Sequence, residues 1–150
     1  MIEIDDINHR ILSILETNGR ISNTDLAKTV GLSPSACLRR VQDLESSGII
    51  KGYRAVIDRE VMGAAITVFV MVGLSAHLSK DARAFERAME AASKVREVHN
   101  VTGSVEYLLR VEVSTLAAYK EFHANVLGTL SQVNSITSYI CLGSPKDKRA

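Results

Sequence analysis

The sequence predicts an α+β chain in two parts, a short all-helical part followed by a β-α-β-β-α-β part. Three observations carry this expectation. Apolar residues recur at helical spacing through residues 4–46. From residue 64 onward continuous or alternating apolar runs, the signature of strands, take turns with two helical patterns. Glycine marks the stops, at Gly19, Gly31, Gly48, Gly52, Gly63 and Gly103. The chain has 150 residues, 46% apolar and 23% charged, which is a globular composition with room for one ordinary or two small domains.

Ile4, Ile7, Ile11, Ile14 and Leu15 predict an amphipathic helix over 4–17, ended by Asn18-Gly19. Ser22 opens a second helix, with Asp25 three residues on in a capping-box pattern and Leu26, Ala27 and Val30 as its inner stripe. Gly31 supplies the positive φ of a sharp turn. Ser33 caps a third helix over 34–46, and Pro34 sits in its first turn, where the missing N–H costs nothing. At about 100° per residue, Cys37, Leu38, Val41 and Leu44 gather on one side of that helix. Ser35, Ala36, Arg39 and Asp43 lie opposite, with Arg40 at the flank. Two helices joined by a tight turn, the second with small residues near its start and one or two long cations on its outer face, suit entry into the DNA major groove. Charge alone favours an ordinary solvated helix. The serine-proline cap, the Gly31 turn and the preceding helix shift the balance toward recognition.

Residues 49–57, rich in β-branched side chains, predict a strand that links the two parts, with the boundary near Glu60 to Gly63. Its Lys51 and Arg54 suit either the DNA backbone or solvent. In the second part, 64–74 predicts an apolar strand. Residues 79–92 predict a helix capped by Ser79, with Ala82, Phe85, Met89 and Ala92 inward. Strands are expected over 95–102 and 105–113, linked tightly at Gly103-Ser104. A helix on Leu116, Tyr119, Phe122, Val126 and Leu130 over 115–130 and a last strand over 136–142 complete the order. That order is the ferredoxin-like one, with helices on one sheet face. Strand 64–74 is apolar on both faces, so a second subunit is expected to cover the other.

The formal net charge of +1 is not that of a strongly basic protein, but residues 39–59 carry five cations against three carboxylates, a basic patch. The acidic start lacks the pattern of a secretory signal, and the longest apolar run is too short to span a bilayer, so a cytoplasmic protein is expected, without membrane partners. Cys37 and Cys141 suit two buried free thiols. His9, His77, His99 and His123 are scattered and show no metal-ligand spacing; Glu86, Glu90 and Glu97 look like exposed charges. No phosphate loop or nucleophile elbow is present, and nothing argues for catalysis.

The N-terminal part resembles the Lrp/AsnC family of feast/famine transcription regulators at Asp6, Ile11-Leu12, Asn18-Gly19-Arg20, Leu26-Ala27, Gly31-Leu32-Ser33, Arg40-Val41, Leu44-Glu45, Gly48-Ile49-Ile50 and Gly52-Tyr53. The C-terminal part resembles it at the run Val101 to Leu109 and at Thr137. The resemblance implies a winged-type helix-turn-helix domain at 1–60 and an ACT-like (RAM) ligand-binding and oligomerisation domain at 61–150. It implies no cofactor, an amino-acid effector, and dimers that assemble further, commonly into octamers. DNA contacts are expected from Ser22, Ser33, Ser35, Ala36, Arg39, Arg40, Asp43, Lys51 and Arg54. The implied effector pocket involves Thr102, Gly103, Ser104, Glu106 and Tyr107, with Ser135, Ile136 and Thr137 nearby. Many members carry aspartate where this chain has Glu106, which keeps the charge and reaches one methylene farther. Read from the residues alone, a solvated strand residue at Glu106 and a core aromatic at Tyr107 are the preferred reading. Two rivals stand beside a ligand-modulated regulator. One is a regulator that acts through assembly without a ligand, and the other is a small ferredoxin-like enzyme, which would need a polar catalytic cluster.

Overall fold

The computed structural model describes residues 4–75 and 79–147. Its elements run α1 (Asp6–Thr17), α2 (Asn23–Val30), α3 (Pro34–Ser46), β1 (Ile66–Leu74), α4 (Ser79–Ala91), β2 (Val95–Asn100), β3 (Tyr107–Val113), α5 (Leu116–Asn125) and β4 (Val133–Ile140), with a 3-10 turn at Leu127–Thr129 after α5. The chain divides into two compact units, Met1–Val56 and Ile57–Ala150.

The N-terminal unit packs three helices around Ile11, Leu26, Ala27, Val30, Cys37 and Leu44. Each helix starts on a side chain that accepts an otherwise orphaned backbone N–H: Asp5 for α1, Ser22 for α2 and Ser33 for α3. The α1 start lies two residues later than the apolar pattern alone suggests, because Asp5 takes the capping position and Ile4 falls outside the helix. Leu38, expected inside, is 46% exposed; Cys37 and Leu44 carry the inner face of α3 with Val41 at its margin.

The expected strand at 49–57 does not form. Among the described residues no ladder includes it, and Tyr53, Val56 and Ile57 are exposed. β-branched composition favours an extended chain, but a strand exists only against a partner, and the described residues offer none to that segment.

The C-terminal unit is a four-stranded antiparallel sheet in the order β2-β3-β1-β4, the ferredoxin-like arrangement. Val68, Val70 and Val72 of β1 and Tyr107, Leu109, Val111 and Val113 of β3 point to the helix-covered face and pack with Phe85, Met89, Tyr119, Phe122 and Leu127. Ser79 is the first helical residue of α4. α5 stops earlier than expected, because the chain tightens after Val126 and turns Leu127 into the core. At its other end Leu116 is 54% exposed. The hydroxyls of Tyr119 and Ser138 bond across the α5–β4 junction. β2 and β3 are shorter than expected, leaving residues 101–106 as a six-residue connection, and β4 begins three residues earlier, at Val133. Cys141 consequently lies beyond the last strand and is only half-buried, unlike Cys37.

The other sheet face carries Phe69, Met71 and Leu108 beside an ionic group. There Arg110 meets both Glu112 (2.7 Å) and Glu97 (3.2 Å), Arg96 lies 3.5 Å from Glu112, and Arg59 lies 4.0 Å from it. Glu97 is thus half-buried in ion pairs and is not the simple exposed charge expected; Glu86 accepts a hydrogen bond from Tyr107. His77 lies outside the described residues.

Candidate functional site

Two regions deserve comparison with the expected sites, one in each unit. In the N-terminal unit, α2 and α3 are joined through Gly31, which adopts the left-handed conformation (φ 78°) that favours glycine. The Leu32 N–H returns to the Ala27 carbonyl at 2.9 Å. The Asn23 amide donates to the Pro34 carbonyl at 2.8 Å and ties the two helix starts together. Ser22 Oγ accepts from Asp25 N–H and donates to the Asp25 carboxylate at 2.6 Å, a closed capping pair. Ser33 Oγ accepts from Ala36 N–H and lies 3.3 Å from Ser35 Oγ.

These bonds hold α3 with one face outward. Ser33, Ser35, Arg39 and Asp43 are exposed and Ala36 is half-buried; Ser22, Lys51 and Arg54 are exposed elsewhere on the unit. Arg40 is placed differently. Its guanidinium turns back to α1, donating from Nη1 to the Asp5 carboxylate at 2.7 and 2.9 Å and to Asn8 Oδ1 at 3.0 Å. Asp5 therefore does two jobs: it caps α1 through the Asn8 N–H (2.8 Å) and clamps α3 through Arg40. The Asn8 N–H, and after it Arg40, hold the Asp5 carboxyl below the usual carboxylate range. Of two adjacent arginines that sequence reasoning placed together as DNA contacts, Arg39 stands outward and Arg40 is committed within the unit. The flank position on the helical wheel is the physical reason: one further residue of rotation brings a long side chain within reach of α1. Sequence reasoning missed Asp5, Asn8 and Asn23. Asp5 and Asn8 have cap spacing, a signal that was available. The pairing of Asp5 with a residue thirty-five positions away has no local signal.

In the C-terminal unit the expected pocket residues split. Thr102, Gly103 and Ser104 are exposed in the 101–106 connection, which is closed by Val101 N–H to the Glu106 carbonyl at 2.9 Å. Glu106 is half-buried. Its backbone N–H reaches the Val72 carbonyl, and its Oε2 accepts from Leu74 N–H at 2.7 Å. Ser135 and Thr137 pair with Gly73 and Met71, on the face away from the helices, whereas Ile136 pairs with Val72 on the helix-covered face. Tyr107 is separated from them. It is 1% exposed, its ring stands 4.6 Å from Phe85, and its hydroxyl donates to Glu86 at 2.7 Å. Burial, reinforced by Glu86, pushes the Tyr107 hydroxyl up to about 12. Tyr107 is the core aromatic of the two readings left open by the residues. Gly73 and Asn134 were missed; both gather with Ser135 and Glu106 at the end of β1, where the β1–β4 register shifts between Gly73 and Leu74. Asn134, Ser135 and Ile136 also border a cleft of about 280 Å³ against Leu127 and His123. Among the described residues no group of His, Cys, Asp and Glu side chains could hold a metal ion, and no helix is long and apolar enough to cross a membrane.

Comparison with known proteins agrees with this division. Residues 4–51 match the family model of a winged helix-turn-helix DNA-binding domain, and residues 67–150 match that of the Lrp/AsnC ligand-binding domain. The leucine-responsive regulatory protein of Haemophilus influenzae is 38% identical over 143 residues, covering 95% of this chain and 86% of its own length. Among solved structures, a transcriptional regulator of Neisseria meningitidis in complex with L-methionine superposes with a TM-score of 0.93 at 28% identity, over 97% of this chain and 94% of that one. An AsnC family regulator of Agrobacterium tumefaciens gives 0.90 at 31% identity, over 95% and 93%. A match to the winged helix-turn-helix model in the N-terminal unit, followed by a ferredoxin-like unit that matches the family's ligand-binding domain, makes this chain a DNA-binding transcriptional regulator of the Lrp/AsnC family.

Proposed function

We propose that α3 enters the major groove and reads a pseudo-palindromic operator as part of a dimer in the cytoplasm, and that a free amino acid tunes the assembly. The observation that carries the DNA reading is the outward face of α3. Ser33, Ser35 and Ala36 present small side chains near its start, and Arg39 presents five donors one turn on. Asp43 flanks them, and Ser22, Lys51 and Arg54 supply backbone contacts. Arg40 contributes by holding α3 against α1. Two such helices read half-sites about one helical turn apart, or a multiple of it. A second copy covers Phe69, Met71 and Leu108 on the uncovered sheet face, and dimers assemble further.

The effector site lies around Glu106, Ser135 and Thr137, with the Thr102-Gly103-Ser104 backbone on its rim. Glu106 takes the ammonium group, and N–H groups of the glycine turn take the carboxylate. The bound L-methionine of the Neisseria regulator supports an amino acid as the ligand class. Effector binding biases one assembly over another through unequal affinity for the two. One observation favours a second reading, assembly control without a ligand: the Glu106 carboxylate already accepts from Leu74 N–H. Thermal unfolding with each of the twenty amino acids separates them. A ligand that binds the native state raises the transition temperature, and Glu106→Ala abolishes that rise. If no amino acid shifts the wild type, the ligand-free reading replaces the first.

A further inference from the structure

Glu106, Gly73 and Ser135 form one row across the sheet. Gly73 pairs with Ser135 in the β1–β4 ladder, and the pairing of Val72 with Tyr107 sets Glu106 across from Gly73 on the other side. The middle residue of this row has no side chain. Its backbone is not among the positive-φ glycines, so conformation does not require glycine there. Space does. A Cβ at Gly73 would collide with Ser135 Oγ, stand 2.9 Å from Asn134 Oδ1 and lie 3.7 Å from Glu106 Oε2. Three oxygen-bearing side chains from two flanking segments therefore converge on one point above β1. The longer glutamate is seated there by the Leu74 N–H at the register shift.

A carboxylate, an amide oxygen and a hydroxyl around one point offer three acceptors, and a primary ammonium group has three donors to place. We propose that Gly73 is the positioning residue of the effector site: its missing side chain lets Glu106, Asn134 and Ser135 close over the sheet as the acceptor set for an amino acid's ammonium group. This rests on the effector reading above.

The test uses the full-length protein, the twenty L-amino acids as probes, and two readouts. For the amino acid that binds the wild type most tightly, Gly73→Ala should weaken binding by about tenfold or more, the scale of a lost hydrogen bond to a charged group. Gly73→Ala should also speed hydrogen exchange at the Leu74 amide by about tenfold in the absence of any ligand, because the Glu106 acceptor is displaced. Removing the nearest obstacle in the double variant Gly73→Ala with Ser135→Gly should slow that exchange again, a non-additive result. If Gly73→Ala does not fold, Glu106→Asp provides the same displacement by shortening the reach, with the same two expected changes. Unchanged Leu74 exchange, or unchanged amino-acid affinity, in the variant overturns the assignment while leaving the effector reading standing. Failure of every amino acid to bind the wild type sinks the effector reading itself and this assignment with it.

Discussion

In the N-terminal unit the side chain proposed to meet DNA stands clear of the packing: Arg39 is exposed on α3 while its neighbour Arg40 is bonded to Asp5 and Asn8. In the C-terminal unit the corresponding side chain is tied into the scaffold. Glu106 sits half-buried at a sheet irregularity, with its carboxylate on the Leu74 N–H. The difference teaches where each function stores its precision. A DNA reader needs a rigid rod with free donors, so the polar bonds lie behind the rod, in the caps and in the Arg40 clamp. The proposed effector site needs fixed acceptors, and there the polar bonds lie within the site itself.

The largest expected effects come from removing the two cores on which these arrangements rest. Leu44 is fully buried in the N-terminal unit, and Leu44→Ala should cost about 2–5 kcal/mol and eliminate operator binding. Phe85→Ala should cost about 3–5 kcal/mol in the C-terminal unit, with the loss falling on the effector response. Denaturant unfolding followed by probes in each unit checks both. If either change leaves its own unit's transition in place, the separation of cores is wrong.

Smaller effects sharpen the comparison. Ser33→Ala removes the α3 cap and should cost about 1 kcal/mol, read as a lower unfolding midpoint; Ser22→Ala should behave alike for α2. The two units also differ in which limb of the pH profile they control. The Tyr107 hydroxyl is pushed up to about 12 from an ordinary 10, by burial first and by Glu86 second. Its contribution is present below pH 10 and is lost as pH rises through about 12. Tyr107→Phe should flatten that alkaline limb. Asp5 is shifted the other way: its contribution is present above its unfolded value of 3.8 and is lost as pH falls through the lower folded value. Asp5→Asn should flatten the acid limb. An acid limb identical to that of the wild type would show that the clamp carries no weight.

Most of the helix-turn-helix was legible in the sequence because its determinants are local. Ser22 with Asp25, Gly31, and Ser33 with Pro34 fix their helix ends within a few residues, and α3 falls at 34–46 as read. The ferredoxin-like order was legible for a similar reason, since the alternation of strand and helix periods survives errors of several residues at the ends. What was not legible depends on distance or on partners. The 49–57 segment has strand composition and, among the described residues, no neighbour to pair with. The helical wheel sets Arg40 at the flank and Arg39 outward, but that the flank arginine meets Asp5 on α1 depends on the placement of Asp5 in space. Tyr107 fits both a pocket and a core until the phase of β3 sends it toward Phe85. Gly73 lies inside the apolar strand expected over 64–74, and the side chains crowding it come into view only when β3 and β4 are laid on either side of it.

Operator affinity measured across a salt series tests directly whether Arg39 meets DNA while Arg40 holds α3 against α1. Arg39→Ala should weaken binding by about 1–3 kcal/mol if Arg39 reads a guanine, or lower the salt slope by about one if it meets a phosphate. Arg40→Ala should weaken binding with the slope of the wild type, because the pose of α3 is disturbed and no phosphate contact is removed. Wild-type affinity and slope in a folded Arg39→Ala protein, or a slope lowered by Arg40→Ala alone, would contradict the account.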